Sequence, residues 1–324
     1  MSTPTEPTAD RELAATRVFD APRDLVFKMF TDPAHLARWW GPRGFTTTTH
    51  AMAFEPGGVW RFTMHGPDGR DYGNQITYTE IRPNELIAYR HGGDDKALEP
   101  VNFSVSARFE DAPGGKTALH WRMVFPSKAT KDFVVREYGA DRGMVETINR
   151  LEEVVAETTA GPGDAFVITR TFDAPRDVVF AAWTKADHLA KWFGPVGFTM
   201  ISAKPDLATG VVFHYGMRSP GGQEMWGKWA VREVLPPKSI VIVASFSDPA
   251  GNTTRAPFFA DWPLEVLSVL TFEDAPGGRT TMTMRGLPLN ATPAERARFV
   301  GHHDSMRGGW GGTLEQFAKY LANG

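Results

Sequence analysis

Residues Arg17–Phe27 read R-V-F-D-A-P-R-D-L-V-F, and His35–Thr46 read H-L-A-R-W-W-G-P-R-G-F-T. Both return 153 residues later, as R-T-F-D-A-P-R-D-V-V-F (Arg170–Phe180) and H-L-A-K-W-F-G-P-V-G-F-T (His188–Thr199). Across residues 17–46 and 170–199, 19 of 30 positions are identical without a gap. The match resumes at F-E-D-A-P-G-G, residues 109–115 and 272–278, where the offset is 163; the second copy therefore holds ten extra residues in between. A repeat of this length is domain-sized and too long for a solenoid. The 324 residues thus divide into a polar, disordered tail (1–13), a first domain (14–158), a Gly/Pro-rich linker (159–164) and a second domain (165–324).

Each unit has the same order of elements. A short strand (Thr16–Phe19; Phe166–Phe172) leads into a helix near Pro22 or Pro175, with Asp20 and Asp173 as expected N-caps. In the first copy a second short helix follows, capped by Asp32 with Pro33 just inside it, and stops at Gly41-Pro42. Alternating strands come next. Trp60, Phe62 and Met64 share one face, as do Phe103, Val105, Ala107 and Phe109, and Leu119, Trp121 and Met123. The turns D-A-P-G-G-K and D-A-P-G-G-R mark hairpins. A long helix closes each unit: from about Thr130 to Thr158, and from the capping box Thr292-Pro293-Ala294-Glu295 towards Leu321, with a break expected around Gly308–Gly312. A sheet that buries one face under one long helix is an α+β fold, and a strongly curved sheet leaves a cavity beneath that helix.

Composition narrows the chemistry. A net charge of −3 gives no electrostatic footprint for nucleic acid. The absence of cysteine removes disulfides, thiol nucleophiles and Cys-ligated zinc, and agrees with a reducing cytoplasm. The first ten residues lack the apolar core of a signal peptide, and the longest apolar stretch, Ser239–Phe246, is a buried strand rather than a membrane span. No phosphate-cradling Gly loop and no G-x-S-x-G elbow occurs, so ATP, GTP, NAD and a serine-elbow hydrolase have no support, and no cofactor is expected.

F-D-A-P-R-D-x-V-F, W-[WF]-G-P-x-G-F, x-E-[IV]-x-P and F-E-D-A-P-G-G-[KR]-T together resemble the bacterial branch of the activator-of-heat-shock-chaperone-ATPase-like family, within the START-like (SRPBCC) superfamily. Met306–Leu321, M-R-G-G-W-G-G-T-L-E-Q-F-A-K-Y-L, is similar to that family's final helix. The resemblance implies two tandem helix-grip, Bet v 1-like domains, each a curved antiparallel sheet around a C-terminal helix with a hydrophobic cavity between. It also implies lipids, polyketides or flavonoid-like molecules as ligands, and cyclisation in a few relatives. Eukaryotic chaperone activators carry an N-x-N-x-W-H-W-type motif; none occurs here, which argues against chaperone activation.

The expected ligand contacts are the inward aromatic and methionine stripes: Trp60, Phe62, Met64, Tyr78, Phe103, Trp121 and Met123 in the first domain, and Phe213, Tyr215, Met217, Trp229, Met282 and Met284 in the second. Each of these side chains equally suits ordinary core. Trp310 on the final helix, His303, and Trp262 within the extra segment Ser247–Glu265 complete the candidates. That segment carries Phe258, Phe259 and Trp262, too aromatic for a plain solvent loop, so it is expected to fold over the second domain's cavity mouth. With a candidate lid and histidines near the final helix, the second domain is expected to hold the functional pocket. His302-His303-Asp304 invites a metal reading, but adjacent histidines point to different helix faces and no H-E-x-x-H accompanies them, so no metal is expected. Three functions remain open: binding of a small hydrophobic molecule; a cyclase- or hydrolase-type enzyme drawing on His302, His303, Asp261 or Glu224; and a protein-interaction role such as chaperone regulation. The repeats could also pair with each other within the chain.

Overall fold

A computed structural model describes residues 8–93 and 102–323. The chain forms two compact units, Met1–Thr159 and Ala160–Gly324.

In the first, β1 (Glu12–Phe19) is followed by α1 (Arg23–Lys28) and α2 (Pro33–Trp39). Six strands come next: β2 (Thr46–Met52), β3 (Val59–His65), β4 (Asp71–Arg82), β5 (Leu86–Gly93), β6 (Phe103–Ala112) and β7 (Lys116–Val124). Helices α3 (Lys128–Tyr138) and α4 (Ala140–Thr159) close the unit. The sheet order is β1-β7-β6-β5-β4-β3-β2. It is an antiparallel meander whose first strand returns to pair with the last, Phe19 opposite Thr117 and Glu12 opposite Val124.

The second unit repeats this plan. It runs β8 (Phe166–Phe172), α5 (Arg176–Thr184), α6 (Ala186–Trp192), β9 (Thr199–Lys204), β10 (Val212–Arg218), β11 (Glu224–Leu235), β12 (Ser239–Ser247), β13 (Glu265–Ala275), β14 (Arg279–Leu289), α7 (Pro293–Gly301) and α8 (His303–Ala322). Its sheet order is β8-β14-β13-β12-β11-β10-β9.

The shared motifs prove to be points where distant segments meet. The F-D-A-P turn and the G-G-[KR]-T hairpin join through buried threonines: Thr117 Oγ1 donates to Ala21 O at 2.7 Å, and Thr280 Oγ1 to Ala174 O at 2.7 Å. The first tryptophan of W-[WF]-G-P anchors its own helix, since Trp39 Nε1 donates to Met29 O and Trp192 Nε1 to Ala182 O, both at 3.0 Å. The following glycine has φ +104° at Gly41 and +134° at Gly194, and a Cβ there would lie 2.9 Å from Met64 Cε or 2.7 Å from Met217 Sδ. Only glycine combines that dihedral with that proximity. The loop's carbonyls are then held by the final helix. Arg150 Nη1 donates to Gly41 O, Pro42 O and Phe45 O at 2.9, 3.1 and 3.1 Å. In the second unit Gln316 Nε2 and Thr313 Oγ1 share Gly194 O at 2.7 and 3.0 Å.

Helix α4 buries Met144, Ile148, Leu151 and Val155, a 3.6-residue stripe pressed to the sheet. Asp32 caps α2 by accepting from the Ala34 N–H at 2.8 Å, and Thr292 with Glu295 forms the expected capping box. Asp20 and Asp173 are not caps: the residues flanking α1 and α5 are Pro22 and Pro175, without a side-chain cap, and Asp20 lies 3.8 Å from Lys116 instead. Residues 9–13 do not belong to the expected disordered tail. Residues 9–11 form a 3-10 turn and β1 begins at Glu12, fixed by Arg11 Nη1 donating to Phe125 O at 3.0 Å; residues 1–7 lie outside the described residues. The final-helix break falls at His302, not among Gly308–Gly312, which all lie inside α8. Glycine within a helix costs about 1 kcal/mol but removes no backbone hydrogen bond, so packing can carry the helix through it. The linker is a turn closed by the Gly161 N–H donating to Asp164 Oδ2 at 2.7 Å.

Two outcomes follow. Fragments 1–159 and 160–324 expressed separately should each melt cooperatively by circular dichroism. Arg150→Met should destabilise the first fragment by about 2 kcal/mol, because one charged donor serves three carbonyls, with denaturant melts as the check.

Candidate functional site

Between the sheet and helices α3 and α4 of the first unit lies a cavity of about 220 Å³. The sheet contributes Met64, Asn74, Tyr89, His91, Phe103, Trp121 and Met123, and Phe125 follows at the end of β7. The helices contribute Val134, Tyr138, Ala140, Gly143, Met144 and Thr147, and the G-P loop adds Trp40, Gly41 and Pro42. The break between α3 and α4 sits at this wall. Gly139 is left-handed (φ 61°, ψ 39°), and on either side of it Tyr138, half exposed, and Ala140 line the cavity. A second hollow of about 270 Å³, bordered by Arg11, Arg90 and Asn102, shares His91, Phe103 and Phe125 with the first.

Of the residues expected from sequence, Met64, Phe103, Trp121 and Met123 line the cavity. Trp60, Phe62 and Tyr78 sit in the adjoining core: Trp60 stacks on Phe62 with centroids 4.0 Å apart, and Tyr78 packs edge-on against Phe54 at 5.0 Å. The periodicity reading missed Asn74, Tyr89, His91, Trp40 and Met144. Tyr89 and His91 stand two apart on the inward face of L-I-A-Y-R-H (Leu86–His91), and Asn74 stands two before Ile76, so the alternation that marks Tyr78 extends to all three.

These polar positions are confined to the first unit. The pairs Ile76–His91 and Tyr78–Tyr89 correspond in register to Trp229–Ala244 and Val231–Ile242, with the same irregularity following in both sheets. Asn74, Tyr89 and His91 thus have Gly227, Ile242 and Ala244 as counterparts. Matching Thr147 and Arg150 to Thr313 and Gln316 places Trp310 where the first unit has Met144. Trp310 reaches Trp183 and Phe193 at 6.3 and 6.1 Å, so a large ring stands where the first unit has a thioether at the edge of its hollow. The remaining second-domain candidates, Phe213, Tyr215, Met217, Trp229, Met282 and Met284, all lie inside the sheet. Phe213 and Tyr215 pack on Trp229 at 5.1 and 5.6 Å, and the Tyr215 hydroxyl lies over Gly227, where any Cβ would be 2.4 Å away. Burial pushes the Tyr215 phenol up to about 12.

The extra segment of the second copy packs on α7. Trp262 lies against Phe299 and His302 at 5.6 and 6.1 Å, Phe259 against His302 at 4.5 Å, and Arg298 donates to Asp261 at 2.8 and 2.9 Å. Phe259 and Trp262 are therefore spent on a helix surface, while Phe258 is exposed and packs on Phe246 of β12 at 5.4 Å. His303 is wedged between Phe166 and Phe299 at 5.7 and 5.2 Å, with Nε2 buried and unpartnered.

The acid/base candidates do not converge. Asp261 is held below the usual carboxylate range by Arg298, and Glu224 likewise by its hydrogen bonds to Arg218 and Trp226 at the exposed end of β11. His302 shares its Nδ1 with Arg298 O at 2.8 Å. Among the described residues no cluster of three or more His, Asp or Glu is placed to hold a metal, and no helix is long and apolar enough to cross a membrane.

A seven-stranded antiparallel sheet gripping a C-terminal helix, present twice, defines a tandem helix-grip protein of the START-like class. Residues 20–156 and 173–322 each match the family described as activator of Hsp90 ATPase homolog 1-like protein, and the chain belongs to that family. Among curated proteins nothing matches. Among solved structures it is similar to a protein from Arthrobacter aurescens at 25% identity, over 47% of this chain and 90% of that one, with a TM-score of 0.43. It is also similar to an AHSA1 protein from Silicibacter pomeroyi (19%, 49% and 97%, TM-score 0.39). The di-domain ARO/CYC BexL from the BE-7585A biosynthetic pathway aligns over 96% of this chain and 98% of its own, at 16% identity and a TM-score of 0.43.

His303 supplies a pH test. Burial, then the charge of Arg307, holds its imidazole pKa below the ordinary value, against the opposing pull of Asp304 and Asp164. The unfolded chain therefore takes up the proton more readily than the fold. The corresponding stability is fully present above the unfolded pKa, near 6.5, and is lost as pH falls below it. The melting temperature of fragment 160–324 should drop between pH 7 and pH 5, and His303→Phe should make that drop shallower.

Proposed function

We propose that the protein binds a small, largely apolar molecule and that the first domain, rather than the second, is the one that holds it. The observation carrying this reading is the cavity beneath α4, walled by Trp40, Trp121, Phe103, Met64, Met123 and Met144. Aromatic faces with flexible thioethers between them form an adaptable apolar site. Its volume of about 220 Å³ exceeds the roughly 150 Å³ cavity that takes benzene and falls below the roughly 300 Å³ at which drug-sized sites begin, so the fitting occupant has one or two rings. Tyr138, beside the α3–α4 elbow, is the lining residue most open to solvent.

This reverses the preference drawn from the histidines and extra aromatic segment of the second copy. Those features pack on one another and on α7, and Trp310 stands in the place of Met144. A cyclase or hydrolase reading would rest on His91 and the tyrosines alone, since the cavity is lined by no carboxylate and no ammonium or guanidinium group. The family's name invites a chaperone role as well, but no feature described above favours it.

The test borrows from the second domain. Met144→Trp in the full chain should fill the hollow as Trp310 does. Titrated with indane and followed by tryptophan fluorescence, the wild type should bind and Met144→Trp should lose at least about tenfold in affinity, the equivalent of 1.4 kcal/mol, with its melting temperature preserved. Equal binding by both proteins would remove the cavity from consideration.

A further inference from the structure

The sheet wall of the first-domain cavity presents one hydroxyl that the fold leaves unused. Tyr89 is 3% exposed and lines the cavity, so what little surface it retains opens inward. The Trp121 indole N–H, on the same wall, is buried and has no hydrogen-bond partner. Among the described residues no acceptor is placed for the Tyr89 proton. The phenol's own hydrogen rotates about the C–O bond and is free to turn towards the cavity.

We infer that the occupant is an uncharged, flat ring compound carrying a carbonyl-type acceptor, and that the Tyr89 hydroxyl donates to it; this rests on the binding reading above. Three features of the site carry the argument. The hydroxyl remains a donor at any physiological pH, because burial raises its pKa and the neighbouring Tyr78 adds to the effect. The cavity lining contains no Asp, Glu, Lys or Arg, and its one imidazole, His91, is stacked on Phe103, so a carboxylate or ammonium on the ligand would leave water without a fixed counter-charge, which is strongly unfavourable. The preference for a flat ring follows from the lining itself, where Trp40, Phe103 and Trp121 offer aromatic surfaces that favour stacked or edge-on ring contacts. A hydrogen-bonding site also discriminates more sharply than an apolar one, since a ligand lacking the partner leaves a buried group unpaired. The second domain has Ile242 at the matching position.

The experiment compares three probes of similar size on the full chain: indane, 1-indanone and indane-1-carboxylate. Wild type should bind 1-indanone, and Tyr89→Phe should weaken that binding about five- to tenfold, the size of one net hydrogen bond, while changing indane affinity less than twofold. The carboxylate should bind at least about tenfold more weakly than the ketone. Tyr89→Phe removes a single oxygen, and its unchanged melting temperature would show that the fold is intact. If indane binds in a Met144-dependent way but Tyr89→Phe leaves 1-indanone affinity unaltered, the assigned hydrogen bond is wrong and the binding reading stands. If the carboxylate binds as well as the ketone, the neutral-ligand assignment is overturned. If no probe binds, or binding survives Met144→Trp, both inferences fall together.

Discussion

Everything in each domain depends on how the final helix is fastened to the loop at the end of the second short helix. A curved sheet and a helix have no fixed separation of their own, because apolar contact is non-directional. Here the separation is set by hydrogen bonds to one carbonyl: Gly41 O receives Arg150, and Gly194 O receives Gln316 and Thr313. The glycine lets the chain approach a methionine of the third strand within the reach of a side-chain atom, and the preceding tryptophan is pinned to its own helix pair. The sheet, the short helices and the long helix therefore meet at a fixed height. What fills the space under that height is left to the side chains.

Those side chains differ between copies, and the difference shows how one fastening supports two interiors. In the second domain Trp183, Trp192, Phe193, Trp229 and Trp310 interlock, with Phe317 against Trp192 at 4.2 Å. In the first, Phe30, Met144 and Ile76 stand at the places of Trp183, Trp310 and Trp229, and three polar residues face inward on the two strands beside them. A hollow forfeits contacts that a filled core would make. The first copy gives up such contacts for room, where the second sets large rings at the matching places.

The duplication, the α+β order and the inward stripes were all legible in the sequence, because they rest on local rules: alternation in strands, capping at Asp32 and Thr292, and glycine-proline punctuation. The site was legible only in part. Met64, Phe103, Trp121 and Met123 were found by periodicity, yet the same periodicity marks Trp60 and Phe62, which are core. Whether an inward ring lines a void or fills it depends on the residue opposite, and Met144 and Trp310 lie far along the chain from the strands they face. Tyr89 and His91 were hidden by their chemistry, since a tyrosine and a histidine in a strand read as ordinary edge-of-core residues. The helix break was misplaced because four glycines drew the eye, while the actual break fell at His302.

The hollow has one further consequence. Empty space inside a folded chain is volume that unfolding eliminates, and hydrostatic pressure favours whichever state occupies less volume. The cavity of about 220 Å³ is volume of this kind in the first domain, so pressure acts on that domain through a feature that heat does not single out. An occupant that fills the space would cancel that volume difference, so the first domain's resistance to compression is itself a measure of how full it is.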